Sequence, residues 1–331
     1  MNIKKIAQLS GVSVATVSRV INEKGNVSDA TKRKVNAIIE KYNYVPNINA
    51  INLSKNESNY IAVLVPDITN SFFGQIIDGI TKVINQKGYH LILLNSDENI
   101  DIEVSHLRAL GQYNLAGIFY TPVHRVNSLS TGLVQKYNNA GMPFVYIDRD
   151  LEDIENSGVY VDNFNGAYQA TQYLINKNCK RIGAITGLHN TKPGLERHCG
   201  FIKALEDYHV KADELLIKTG DFKFDSGYKL TKELMESSTA PDAIFVMNNL
   251  MALGSIKYAV ENKVNLTNDL TLICFDNLEM FQWFELPISY VDRPTTEMGQ
   301  VAAELMLKKI KGIESEKFEN IVLKTQLIIN E

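Results

Sequence analysis

The sequence has little cysteine, and its cysteines are not arranged for cross-linking or metal binding. Among 331 residues there are three, Cys179, Cys199 and Cys274, at wide spacing and in mostly apolar surroundings. Disulfide frameworks and zinc sites need paired or clustered cysteines. We therefore expect free, buried thiols in a reducing cytoplasm. The six histidines show no metal-ligand spacing, and we expect no metal and no cofactor.

Long apolar runs and several enzymatic motifs are also missing. No run approaches the roughly 18 apolar residues of a membrane-spanning helix, and the N-terminus lacks the apolar segment of about 7–15 residues that marks a secretory signal. We therefore expect no membrane partner. The patterns GxSxG, GxxxxGKS/T and a strand-linked GxGxxG are absent as well, which argues against an enzyme. The length and the 45% hydrophobic content predict a globular protein of two or three domains.

Charge is distributed unevenly along the chain. Residues 1–55 carry nine Lys or Arg against three Asp or Glu, a net charge of +6, whereas the whole chain is −4, which leaves −10 for the remainder. A basic head on an acidic body indicates that the head meets a polyanion such as nucleic acid. A merely solvated charged face is the alternative.

The first 45 residues predict three short helices. Apolar residues recur at helical spacing before Ser10-Gly11, which can end the first helix, and Ser13 is a good N-cap for a second helix that starts at Val14. Ser28 is positioned to cap a third helix that runs toward Tyr42. Two short helices joined by a glycine-containing turn and followed by a third form the helix-turn-helix pattern. Any three-helix bundle could show the same apolar periodicity.

In a helix-turn-helix protein, the second helix enters the major groove. Small side chains at Val14 and Ala15 can contact thymine methyl groups, and Arg19 can form a bidentate contact with guanine. Polar groups on and beside this helix can bind phosphates and fix the register. The candidate DNA-binding residues in the head are Lys4, Lys5, Ser13, Val14, Ala15, Thr16, Ser18, Arg19 and Asn22.

The segment "IAQLSGVSVATVSRVIN" closely resembles the DNA-binding headpiece of the LacI/GalR family of bacterial repressors, and the match continues through "VSDATKRKVNAIIEKYNYVPN". The resemblance implies that Val14, Ala15 and Arg19 read the operator. It also implies a hinge helix in residues 46–59, with Asn47 as N-cap, that folds on the operator. There Leu53, preceded by Ala50, would wedge into the minor groove. Ile51 departs from the family's usual arginine, and Leu53 could instead pack against the following domain.

From residue 60 onward, apolar strand patterns alternate with helical ones, which predicts a doubly wound α/β layout in two similar halves. The family resemblance implies a periplasmic-binding-protein-like core at 60–331, with a first subdomain of about 60–161 plus 292–320 and a second of about 162–291 plus 321–331. Ligands in such sheets bind at the carboxyl ends of strands. Polar residues and aromatic rings, Trp283 among them, lie at or near these ends and predict a sugar site, although a single strand-end Asp or Asn is more often a local turn.

The resemblance assigns effector contacts to particular residues of this core: Phe72, Phe73, Asp148 or Arg149, Asp162, Arg197, Phe222, Asn248 and Asp276. The sequence departs from the family pattern at Asn249, where an aspartate is common. The sequence thus predicts a homodimeric repressor of a sugar-utilisation operon that binds pseudo-palindromic double-stranded operator DNA and a small effector. A catabolite-control regulator that responds to a phosphoprotein remains an alternative. A solute-binding protein is a weaker one, since it would need a signal peptide and no basic head.

Overall fold

The computed structural model describes residues 1–21, 25–44, 58–266, 268–313 and 318–330. The chain divides into two compact units, Met1–Ser58 and Asn59–Glu331, which we call the head unit and the core unit. The predicted hinge contacts Asn47, Ala50 and Leu53, together with Asn22, lie outside the described residues. Within the described ranges, no helix combines the length and the apolarity needed to cross a membrane.

The head unit contains the three predicted helices, α1 (Ile3–Ser10), α2 (Val14–Ile21) and α3 (Asp29–Lys41). Gly11 ends α1 in the left-handed conformation, at φ 62°, where a residue without a Cβ is least strained. Ser13 Oγ accepts a hydrogen bond from the Thr16 amide at 3.1 Å and so caps α2, as predicted. Ser28 caps α3 in the same way. The apolar faces of the three helices meet in a small core of Ile6, Ala7, Val17, Val20 and Val35.

The core unit alternates strands and helices as the sequence predicts. In chain order its elements are β1 (Tyr60–Val65), α4 (Ser71–Asn85), β2 (His90–Asn95), α5 (Ile100–Leu110), β3 (Gly117–Tyr120), α6 (Ser128–Asn139), β4 (Phe144–Ile147), β5 (Ser157–Val161), α7 (Asn163–Asn176), β6 (Ile182–Thr186), α8 (Lys192–Asp207), β7 (Ile217–Thr219), α9 (Phe224–Met235), β8 (Ala243–Val246), α10 (Asn249–Glu261), β9 (Thr271–Phe275), α11 (Glu279–Trp283), β10 (Ser289–Asp292), α12 (Thr295–Ile310), β11 (Asn320–Leu323) and β12 (Gln326–Ile328). A short 3₁₀ helix, Glu214–Leu216, precedes β7.

These strands form two six-stranded sheets, one in each subdomain. The first has the order β11-β5-β4-β3-β1-β2, and the second the order β12-β10-β9-β8-β6-β7. All neighbours pair in parallel except β10 and β12. Helices cover both faces of each sheet, so alternate residues of one strand enter different cores. Ile61 and Val63 of β1 pack in one core, and Ala62 and Leu64 pack in the other. This explains why β1 reads as a continuous apolar run.

The chain returns to the first subdomain after β10 and leaves it again near the C-terminus. We expected residues from about 321 to 331 to belong to the second subdomain. In the structure, β11 pairs with β5 of the first sheet, and β12 is the only part of this closing segment that joins the second sheet, where it pairs with β10. The expected boundary was wrong because the closing segment "VLKTQLIIN" reads as one strand, whereas the chain changes sheet at Lys324-Thr325.

The three cysteines are free, but the expectation that all are buried was wrong. Cys274 in β9 is buried, Cys179 is half-buried, and Cys199 is exposed on α8. Helical residues three or four positions apart share a face. The residues at this spacing from Cys199 do not show which face of α8 is exposed, so the exposure of Cys199 could not be predicted.

Candidate functional site

The helix-turn-helix places its predicted reading residues on the outside of the head unit. Val17 and Val20 are buried, while Val14, Ala15 and Arg19 of the same helix are exposed. The Val14 side chain is 40% exposed. An apolar side chain left in water beside an alanine and an arginine suits contact with base edges, where methyl groups and guanine acceptors lie close together.

The surrounding polar residues of the head divide into two groups. Lys4 and Lys5 are exposed on α1, and Lys5 Nζ donates to Gln8 Oε1 at 3.0 Å. Ser13 caps α2, and its hydroxyl also bonds the Thr16 hydroxyl at 2.9 Å. Ser18 is partly buried on the same helix. The lysines are therefore available for phosphates, whereas Ser13 and Thr16 present their hydroxyls at the start of the reading helix, where anions are favoured.

A polar cleft lies between the two subdomains of the core unit, at the carboxyl ends of the strands. Eight of the nine predicted effector contacts line it: Phe72, Phe73, Asp148, Arg149, Arg197, Phe222, Asn248 and Asp276. The ninth, Asp162, does not line it. Its carboxylate caps α7 by accepting from the Asn165 amide at 3.1 Å, which is the local-turn role that strand-end aspartates often take. The predicted aromatic neighbour Trp283 does not line the cleft either and is 70% exposed.

Asp148 and Asp276 occupy equivalent positions in the two subdomains. Each follows a strand, and each donates its backbone N–H to the neighbouring strand at 2.9 Å, Asp148 to Val159 and Asp276 to Val291. Both have a left-handed backbone, with φ of 64° and 82°. A non-glycine residue is strained there, and such strain is concentrated at functional sites. The matched geometry aims one carboxylate from each subdomain into the same cleft.

Arg293 joins these two carboxylates. Its Nε donates to Asp276 Oδ1, and its Nη1 donates to Asp148 Oδ1 at 3.1 Å. The guanidinium carbon also lies 3.5 Å from the centre of the Phe72 ring, a cation–π contact. All three charged side chains are buried. Arg293 thus reduces the repulsion between two like charges that would otherwise face each other.

Arg149 is held in a second buried ion pair. Its Nη1 and Nη2 donate to the two carboxylate oxygens of Glu98 at 2.9 and 2.7 Å, the two-pronged geometry that makes such pairs strong. Burial lowers the pKa of Arg149, but the Glu98 carboxylate more than offsets this, and the pKa lies above its usual value. The Arg149 guanidinium lies over the Phe222 ring. Its Nε is buried and has no hydrogen-bond partner among the described residues.

Arg197 is the third buried arginine of the cleft and is not ion-paired with any described carboxylate. Its Nε donates to Asn163 Oδ1 at 2.9 Å, and its Nη1 donates to the Met247 carbonyl at 2.6 Å. Burial, together with the nearby Arg293 guanidinium, lowers the pKa of Arg197 to about 9. The side chain therefore remains cationic at neutral pH, with its planar face 3.8 Å from the centre of the Phe275 ring.

Asparagines position the remaining parts of the cleft. Asn248 Oδ1 caps α10 by accepting from the Met251 amide, and its Nδ2 donates to the Phe222 carbonyl at 2.8 Å. Phe222 itself has a φ of 66°. This bond fixes a strained segment whose ring faces the cleft.

Sequence reasoning missed several residues that line the cleft. The most consequential are Arg293 and Glu98, and the others are Asn70, Pro193, Asp221 and Lys223. Arg293 directly follows β10, the same position relative to a strand that singled out Asp148 and Asp276, so the strand-end rule could have found it. Glu98 lies in the turn after β2, and nothing in the sequence pairs it with Arg149, 51 residues away.

The chain combines a head unit that has an exposed reading helix with a core unit that has a buried cleft between two subdomains. This combination defines a ligand-responsive DNA-binding regulator. The chain belongs to the LacI family of these regulators. The family profile described as bacterial regulatory proteins, lacI family, matches residues 2–47. The profile described as periplasmic binding proteins and sugar binding domain of LacI family matches residues 58–331. The predicted family and fold class are therefore confirmed.

Known relatives extend over nearly the whole chain. The HTH-type transcriptional repressor PurR of Vibrio atlanticus is 32% identical over 95% of this chain and 93% of its own length. The ribose operon repressor of Bacillus subtilis is 33% identical over 93% of this chain and 91% of its own length. The structure of the transcriptional regulator CelR–cellobiose complex is 29% identical, has a TM-score of 0.75, and covers 100% of this chain and 99% of that one.

Proposed function

We propose that this protein is a homodimeric, operator-binding repressor of a sugar-utilisation operon, controlled by a neutral sugar bound in the cleft of the core unit. The observation that carries the proposal is the charge balance of the cleft. The cleft is lined by five carboxylates, Asp67, Glu98, Asp148, Asp221 and Asp276, and by four cationic side chains, Arg149, Arg197, Lys223 and Arg293. Burying an uncompensated charge is costly. Because carboxylates outnumber cations by one and Arg149 and Arg293 are already ion-paired, the cleft favours a ligand without negative charge over a phosphorylated one.

The groups left for a ligand match the chemistry of a polyol. A sugar hydroxyl both donates and accepts, so it can accept from the unpartnered Arg149 Nε and donate to a carboxylate oxygen. The Phe73 and Phe222 rings line the same space and can cover the apolar C–H face of a sugar ring.

The dimer is supported by the surface of the core unit and by the needs of DNA recognition. One head unit reads few base pairs, whereas a two-fold dimer reads two half-sites of a pseudo-palindrome. Large apolar side chains are exposed on the second subdomain at Val260, Trp283 and Phe284, each 68–70% exposed. Strand β2 forms an edge of the first sheet. Exposed apolar surface and an uncovered sheet edge are features that a partner subunit can bury.

The names of two of the three relatives described above agree with a sugar effector. One is a ribose operon repressor, and another was solved with cellobiose. A repressor acts where the chromosome lies, so we place this protein in the cytoplasm. We also propose that it is not an enzyme, since the buried carboxylates of the cleft are held in ion pairs with arginines. Recovery of the bound sugar unchanged after incubation tests this point.

The proposed function is tested in two steps with the full-length protein. The operator is first selected from a random double-stranded DNA pool. A thermal-shift screen over pentoses, hexoses, disaccharides, sugar phosphates and nucleobases then identifies the ligand. The proposal expects a palindromic operator and a neutral sugar that changes operator affinity. Selection of a sugar phosphate or a nucleobase would overturn the neutral-sugar assignment. A response only to a phosphoprotein would favour the catabolite-control alternative.

A further inference from the structure

Arg293 lies at the point where the chain passes from one subdomain to the other. It follows β10 of the second sheet and precedes α12, which packs against α4 of the first subdomain. From there its guanidinium reaches Asp276 of the second subdomain and Asp148 of the first. The Arg293 side chain, which is only 6% exposed, therefore bonds to both walls of the cleft.

The charges explain what this link does. Without Arg293, Asp148 and Asp276 would face each other as like charges in a site with little water, where repulsion is much stronger than in solvent. Arg197, the next arginine, is committed to Asn163 and the Met247 carbonyl and is not ion-paired with either aspartate. Closing the cleft would then require a ligand to bridge the two carboxylates. With Arg293 in place, the closed arrangement is stabilised by the protein itself.

Arg293 also decides which atoms a ligand can use. It occupies Oδ1 of both aspartates and covers one face of the Phe72 ring. No hydrogen bond from the described residues reaches Oδ2 of either aspartate. A ligand therefore meets one remaining oxygen from each carboxylate. Removing Arg293 would free both carboxylates and make the cleft one charge more negative.

We propose that Arg293 is the specificity-determining residue of the cleft: a built-in guanidinium that holds the two subdomains closed and makes the site select neutral sugars over amino sugars. The selectivity half of this statement rests on the proposed sugar effector. The closure half does not, because it concerns only the protein's own charges. The two halves can therefore fail separately.

Chemical rescue tests the closure half without any knowledge of the effector. Arg293→Ala leaves a guanidinium-sized space between two carboxylates, and free guanidinium can fill it. We expect guanidinium chloride at about 5–20 mM, far below denaturing concentrations, to raise the melting temperature of the variant by a few degrees over samples matched with NaCl. Small-angle scattering should show a larger radius of gyration for the variant and its return toward the wild-type value with guanidinium. Wild type and the exposed Arg108→Ala control should not respond.

A variant that is as stable and as compact as wild type, or that gains nothing from guanidinium beyond the salt control, would overturn the closure half. If Arg293→Ala does not fold, Arg293→Gln keeps the test possible, because its side chain fills much of the same space without the charge. The closure half then requires a larger radius of gyration for Arg293→Gln than for wild type, and an unchanged radius contradicts it.

Selectivity is measured by titration calorimetry with matched pairs of probes, D-glucose with D-glucosamine and D-galactose with D-galactosamine, on wild type and Arg293→Gln. We expect the ratio of affinities, amino sugar over neutral sugar, to rise about tenfold or more in the variant, because Asp148 and Asp276 lose their guanidinium partner and the cleft becomes one charge more negative. An unchanged ratio, or an amino-sugar affinity in the variant too weak to measure, contradicts the selectivity half. Neutral-sugar binding by wild type with an unchanged ratio would leave the proposed function intact and remove only this inference.

Discussion

Asn249 Nδ2 donates a hydrogen bond to Asn70 Oδ1 at 2.9 Å, and this bond joins the N-terminal ends of α10 and α4 across the cleft. Both side chains are buried. Asn70 Oδ1 also accepts from the Phe72 amide and so caps α4. The residue that departs from the family's usual aspartate therefore contributes a neutral link between subdomains, beside the charged link made by Arg293.

Asn249→Asp should weaken effector binding. An aspartate cannot donate, so its carboxylate would face the Asn70 oxygen, and the closed arrangement would lose a buried hydrogen bond worth about 1–3 kcal/mol. We expect roughly a tenfold increase in the dissociation constant of the sugar, measured by titration calorimetry. Asn85→Asp, the same change at the exposed end of α4, is the matched control. Equal affinities for wild type and Asn249→Asp would contradict this role.

Arg19→Ala should relax base preference at one position of each operator half-site. Because Arg19 is exposed on the reading helix, losing its contact with guanine should cost about 1–3 kcal/mol on the operator and little on random DNA. Lys4→Ala is the comparison, since it should weaken all sequences similarly and flatten the salt dependence. Binding titrations on the operator and on its single-base variants measure both effects. An equal loss for Arg19→Ala on specific and random DNA would show that it binds backbone instead.

Gly79→Ala should destabilise the first subdomain, where α4 and α12 approach closely. A Cβ at Gly79 would lie 2.2 Å from the Thr296 carbonyl oxygen, and one at Gly299 would lie 2.1 Å from the Ile76 carbonyl oxygen. Overpacking of this kind costs about 1–3 kcal/mol. Gly74→Ala on the same helix meets no atom within 4 Å and should be neutral or stabilise by up to about 1 kcal/mol. Denaturation midpoints that fall equally for both would contradict the close-approach argument.

His198 should make the core unit less stable in mild acid. Burial, with a further contribution from His189, whose ring centre lies 4.4 Å away, lowers the pKa of His198 below 6.5. The unfolded chain then binds the proton more readily than the folded one, so stability is present above pH 6.5 and is lost as the pH falls through the lowered pKa. His198→Gln should therefore reduce the loss of melting temperature between pH 7.5 and pH 5.5. The exposed His209→Asn control should follow wild type, and identical pH profiles for all three proteins would contradict the assignment.

Local patterns were enough to predict the head unit and the order of strands and helices. Gly11, Ser13 and Ser28 act on their own neighbours, so their capping roles can be predicted from the sequence alone. Strand-end position was likewise enough to place Asp148 and Asp276 in the cleft.

The pairing of charges inside the cleft could not be predicted in this way. Arg293 and Asp148 are 145 residues apart, and Arg149 and Glu98 are 51 apart. Their contacts depend on how two separately folded sheets close on each other, which local spacing does not encode. Asp162 shows the opposite case, because its carboxylate makes a local capping bond to Asn165 and does not line the cleft.

The central claim is that the cleft and the reading helix are thermodynamically coupled, and one linkage measurement tests it most directly. The dissociation constant of the identified sugar is measured by calorimetry with and without saturating operator, and that of the operator with and without saturating sugar. Coupling requires the same factor in both directions, typically about 5–150-fold. Reciprocal factors in this range would support the account. A sugar that binds tightly and has the same affinity for free and operator-bound protein would contradict it.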